Sequence, residues 1–172
     1  QVPVFIDEKS GKLFLSGHMM KNTDHHKAFE QNPNVLAVFT GPHCYVSASW
    51  YENPQMGSTW NYMSVHAKGR VRFGEGEEIV NALKRLTLHY EGGNAASPTV
   101  FDNLPKEYTE MMMKAIVAFE IEITQLNHVF KLSQNRDEKS YDNIIVQLKQ
   151  QEGDAKRVGE IMAKRKTKVF PS

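Results

Sequence analysis

The chain has 172 residues, 40% of them hydrophobic and 24% charged, with a formal net charge of +1. That length can bury a real core, and no apolar run approaches the roughly 18 residues a membrane helix needs, so no membrane partner is expected. The near-neutral charge gives no global pull toward nucleic acid or anionic lipid. The single cysteine, Cys44, allows no intrachain disulfide.

In chain order, Val2 to Ile6 and Lys12 to Gly17 read as strands of a hairpin around Asp7-Glu8-Lys9-Ser10-Gly11. A short polar helix follows over Asp24 to Gln31, with Asp24 as N-cap and Asn32-Pro33-Asn34 as its stop. Val35 to Phe39 is an apolar strand, and Gly41-Pro42 is expected to turn it into a second strand over Cys44 to Ser49. After a loop over Glu52 to Ser58, Trp60 to Phe73 reads as a long strand, with Gly69 marking a bulge or a close contact.

The pattern then changes to a helix over Glu77 to Tyr90, whose acidic first turn suits the helix dipole. Pro105 opens a second helix running to about Ala115. Ile116 to Leu126 alternates as a strand, and Asn127-His128 reads as a turn. Two helices, Asp137 to Gln150 and Asp154 to Lys164, close the chain. About six strands, an inserted helix pair and a helical tail suggest a small antiparallel barrel with helices packed on it.

Metal and nucleophile chemistry find little support. His25 and His26 are adjacent and cannot chelate together from one helix, and there is no HExxH or CxxC motif. Cys44 reads as a small buried thiol, and Ser47 and Ser49 have no visible His–Asp arrangement. The polar turn from Lys21 to Lys27 enters a helix and could hold a phosphate. A solvated turn is the more common explanation of such a segment.

The aromatic segments carry more. Period-two alternation puts Trp60, Tyr62, Ser64 and His66 on one face and Asn61, Met63 and Val65 on the other. Rings interleaved with hydroxyl and imidazole groups suit a ligand wall or a dimer interface.

Three blocks, Gly41-Pro42-His43 through Ser49-Trp50-Tyr51, Thr59-Trp60-Asn61-Tyr62 with Val65-His66, and Lys131-Leu132-Ser133-Gln134-Asn135, resemble the PaiB-like family of FMN-binding proteins and negative transcriptional regulators. Gly11 to His18 and Ala115 to Ile121 extend the likeness over nearly the whole chain. The resemblance implies a mainly β fold with helices. It would be the FMN-binding split β-barrel of the pyridoxamine phosphate oxidase type, with a helix pair and C-terminal helices. Residues 1–73 and 116–135 would form barrel strands, 74–115 the helical insertion and 136–172 the tail of a single domain. Family chains begin with a further helix and strand, which are expected to be missing here.

The resemblance also implies a cytoplasmic homodimer with flavin at its interface. Lys27 and His26 would neutralise the FMN phosphate, Ser16 would contact the cofactor, and Trp60, Asn61 and Tyr62 would line the isoalloxazine. Lys131, Ser133 and Asn135 would reach the ligand from the partner subunit. Two alternatives accompany this reading. One is a regulator without catalysis that touches DNA through Lys164-Arg165-Lys166-Thr167-Lys168. The other is haem ligated by His18, His43, His66 or His128.

Overall fold

Five strands and five helices form along residues 1–53 and 55–171, the part of the chain described by a computed structural model. The strands are β1 (Phe5–Lys9), β2 (Lys12–Met20), β3 (Asn34–Val46), β4 (Thr59–Gly74) and β5 (Ile116–Lys131). The helices are α1 (Asp24–Gln31), α2 (Glu77–Tyr90), α3 (Lys106–Met113), α4 (Glu138–Lys149) and α5 (Gly153–Val169). The sheet order is β1-β2-β5-β4-β3. The β1–β2 and β2–β5 pairs are antiparallel, with Phe5 opposite Ser16 and Ser16 opposite Glu120. This is the mainly β architecture with helices that the sequence implied.

The first hairpin turns tightly. Lys9 pairs with Lys12, so only Ser10 and Gly11 connect the strands, and both take positive φ (52° and 75°). Two left-handed residues give the turn whose twist matches that of the flanking strands. At α1 the cap is Thr23, whose side chain accepts from the His26 N–H, so Asp24 is the first helical residue rather than the N-cap.

Two expected breaks are absent. Gly41-Pro42 does not turn the chain, and β3 runs unbroken through it. Proline cannot donate to a ladder, but a strand at the end of a sheet has one side unpaired and accommodates it. Gly41 serves close packing instead, since a Cβ there would lie 3.2 Å from Met63 Cβ. Asn127-His128 likewise sits inside the continuous strand β5. The segment expected as strand near Ser49 is a short 3-10 turn, Ala48–Trp50.

The backbone gathers into two compact units. One comprises Gln1–Ala37 with Ala67–Gln125, the other Val38–His66 with the chain from Leu126 onward. In the first, α2 lays Ile79 on Ile116 and Ala118 of β5, with Leu83 and Met113 alongside. In the second, Val46, Leu132, Ile144, Leu148, Val158 and Met162 form a closed core at 2% exposure or less. The helices α4 and α5 meet there at Gly159, where a Cβ would lie 3.0 Å from Leu148 Cβ. The Tyr141 hydroxyl donates to the Met162 carbonyl at 3.1 Å across the same contact.

Gly69 is the close contact the sequence suggested. A Cβ there would overlap the Glu122 carbonyl oxygen and come within 2.7 Å of Ile121 Cγ2. Backbone is the obstacle, so neighbouring side chains cannot relieve it. Gly69→Ala should therefore cost about 2 kcal/mol or more, read as a lowered urea midpoint. An unchanged midpoint would show that β4 and β5 part at little cost.

Candidate functional site

In the first unit, the hairpin β1–β2, the start of β5 and one face of α2 enclose a pocket of about 500 Å³. Its apolar walls include Pro3, Phe5, Leu86 and Phe119, and its polar groups include Ser16, His18, Asn81 and Arg85. Both the size and this mixture suit an organic ligand of moderate size. Antiparallel pairing puts Phe5 and Ser16 side by side, and α2 brings Asn81 and Arg85 over them.

The polar side of the pocket is cross-linked. Arg85 Nη1 donates to Asp7 Oδ2 at 2.7 Å, and the Ser16 hydroxyl donates to the same oxygen at 3.1 Å. The Arg85 guanidinium also lies over the Phe5 ring, 4.1 Å from its centroid, while His89 meets that ring edge-on. Arg85 holds the Asp7 carboxyl below the ordinary carboxylate range, with Ser16 assisting. Glu120 is lowered in the same way, by Lys9 first and then Arg72. Arg72 also grips Glu78 at 2.9 Å. The acidic groups of the walls are thus largely matched by cations.

At the far end of β2 the chain turns through Asn22 (φ 61°) into α1. Lys21 pairs with Glu75 at 2.5 Å. Lys27 is exposed on α1 and makes no ion pair among the described residues. His26 is buried at 7% exposure against the Phe73 ring, and its Nδ1 has no hydrogen-bond partner among the described residues, Glu30 lying 3.8 Å away.

The second unit holds the other residues singled out from the sequence. Trp60 is 47% exposed and stacks near His43, with centroids 5.6 Å apart. Tyr62 is half-buried on the same face of β4. Asn61 points the other way and is completely buried: its oxygen accepts from the Ser133 hydroxyl at 3.0 Å, and its Nδ2 donates to Met162 Sδ at 3.5 Å. Ser133 is also buried, whereas Lys131 and Asn135 are exposed. The structure therefore brings Asn61 and Ser133 together in the interior and puts Trp60, Tyr62, Lys131 and Asn135 at the surface. Cys44 is the buried thiol expected, pushed up to about 11 by burial and then by Asp154.

Of the sequence-selected residues, Ser16 alone lines the pocket, together with His18 from the haem alternative. Asp7, Asn81 and Arg85 were not singled out. Only the alternation of β1 and the face of α2 hint at them, because the contact joins residues 78 positions apart. Among the described residues no three His, Cys, Asp or Glu side chains gather to hold a metal. No helix there is long and apolar enough to cross a membrane.

Burial holds His18 below its usual value of 6.5. The unfolded chain then takes up a proton first as pH falls, so stability present above about 6.5 is lost on acidification. Urea midpoints compared at about pH 7.5 and about pH 5.5 should fall less in His18→Gln than in the parent chain. Equal falls would show that His18 titrates alike in both states.

Residues 1–125 match the family model described as "Putative FMN-binding domain", a stretch that contains every residue of the pocket. The chain is 34% identical over 162 residues to "Protease synthase and sporulation protein PAI 2" of Bacillus subtilis, covering 94% of this chain and 77% of that protein. It is 29% identical over 161 residues to the uncharacterized protein AN0679 of Emericella nidulans, covering 76% of this chain and 64% of that one. Among solved structures, a "putative 5-nitroimidazole antibiotic resistance protein" from Bacteroides thetaiotaomicron aligns with a TM-score of 0.43 at 18% identity, over 74% of this chain and 66% of that one. The family model spans well over half of the chain and the B. subtilis relative nearly all of it, so this chain belongs to the PaiB-like family of FMN-binding domains.

Proposed function

We propose that this protein binds FMN, with the ring system in the pocket between β1, β2, β5 and α2 and the phosphate at the turn into α1. The observation that carries this reading is that the pocket lies wholly within the family-matched stretch. A single strand also links its two ends. Ser16 and His18 stand on the pocket wall, and β2 continues from them to the turn at Lys21 and Asn22. From His18 on the wall to Lys21 at the turn is three residues, roughly 10 Å along a strand, a distance an extended ribityl phosphate arm can cover.

The residues present fit the group. Flat rings at Phe5 and Phe119 offer stacking surfaces, and Ser16, Asn81 and Arg85 offer hydrogen bonds to ring heteroatoms. An unpaired Lys27, the orphan His26 Nδ1 and the helix N-terminus suit a phosphate. FMN, when bound, supplies electron and hydride transfer. The chain's own residues would bind, orient and shield it.

The second unit would serve assembly. Trp60, Tyr62 and Tyr45 are accessible rings on neighbouring strands, and Lys131 at the end of β5 and Asn135 in the turn after it are exposed polar groups. In a homodimer they would face the flavin held by the partner's first unit, while the buried Asn61–Ser133 pair would hold their backbone in place. DNA binding is less favoured, since Lys166 of the basic tail is already engaged by Glu138 and Asp142.

Titration of FMN into cofactor-free protein should quench flavin fluorescence saturably, with Lys27→Ala weakening affinity about tenfold, equivalent to about 1.4 kcal/mol. A protein that leaves FMN fluorescence untouched would overturn the flavin reading. Separately, Trp60→Asp should convert a dimer to monomer in sedimentation at micromolar protein. A parent chain that already sediments as a monomer would remove the assembly role.

A further inference from the structure

The second unit contains a guanidinium, that of Arg136, without a counter-charge among the described residues. Arg136 follows the Lys131-to-Asn135 block, just ahead of Asp137, the N-cap of α4. Its guanidinium lies on the face of the Tyr51 ring, 4.3 Å from the centroid, and Nη1 touches the Met56 sulfur at 3.3 Å. A thioether is a weak acceptor for a charged donor. Among the described residues, the buried Arg136 Nε has no hydrogen-bond partner, and neither has the hydroxyl of Tyr51, a residue only 5% exposed.

The neighbouring cations differ. Lys139 is held by Glu52 at 2.6 Å and Lys166 by Glu138 and Asp142, but Arg136 joins no ion pair among the described residues. Buried donors left without acceptors are costly, most of all on a charged group. Here two such donors, one cationic and one phenolic, belong to side chains packed against each other. The ring fixes the guanidinium plane, so the fork is already oriented for a planar or tetrahedral oxyanion.

We propose that Arg136 and Tyr51 form an oxyanion site, taking a phosphate or carboxylate group of a small ligand, separate from the flavin pocket of the first unit. The oxygen atoms of the ligand would accept from Arg136 Nε and the Tyr51 hydroxyl. The Met56 contact at Nη1 is the one a stronger acceptor would displace.

The test follows the Arg136 Nε–H resonance by NMR in the full chain, assigned by its loss in Arg136→Lys, during titration with inorganic phosphate, acetate and chloride at matched ionic strength. A saturable shift with phosphate or acetate but not chloride is expected. The shift should survive Lys27→Ala, which separates this site from the flavin phosphate turn, and apparent affinity should drop at least fivefold in Tyr51→Phe, which keeps the stacked ring. A response to phosphate alone would mark a phosphorylated ligand, and a response to both anions a carboxylate-tolerant site. No shift, a shift shared with chloride, or a shift lost in Lys27→Ala would overturn the proposal.

Discussion

A primary amide buried to zero exposure must have its hydrogen-bonding groups met inside the protein, and Asn61 sets much of the second unit by that requirement. Its oxygen is met by Ser133 and its nitrogen by Met162, so one side chain ties β4 to the turn after β5 and to α5. The turn is shaped to deliver this bond. Ser133 takes a left-handed φ of 58°, and Gln134 bonds the Leu132 N–H and the Phe130 carbonyl at 2.7 Å each. Ser133 and Gln134 thus serve core and backbone, while Lys131 and Asn135 are exposed polar groups of the same segment.

This explains both what could be read from the sequence and what could not. Period-two alternation on β4 already set Asn61 and Met63 opposite Trp60 and Tyr62, and the inward set is the buried one. The family motifs made Asn61 and Ser133 look like ligand residues, because a motif carries composition without saying which way a side chain points. The helix α2 was legible from its acidic start and apolar face, down to its ends at Glu77 and Tyr90. Gly41-Pro42 and Asn127-His128 misled because local turn preference gives way when a ladder holds the strand extended. The Asp7–Arg85 contact, 78 positions apart, had no local signal beyond the alternation of β1 and the face of α2.

The first unit shows how charge is handled near a pocket. Asp7, Glu78 and Glu120 are each gripped by Arg85, Lys9 or Arg72, several through two contacts. These pairs are partly exposed and individually weak, yet together they fix the orientation of groups along β1, β5 and α2. With the wall charges matched in this way, shape and hydrogen bonding rather than net charge would select what enters. The unpaired cation on the described part of α1, Lys27, stands at the other end of β2.

The strand β3 ends the sheet order and is thirteen residues long, with Leu36, Val38 and Tyr45 each more than half exposed. A long apolar edge with free backbone groups is a template for pairing with other chains. Pro42 removes one donor from that edge and interrupts the template near its middle. The same residue that looked like a turn can thus be understood as a guard against fibrous association, acting through what it withholds from a neighbouring strand rather than through any bend it imposes.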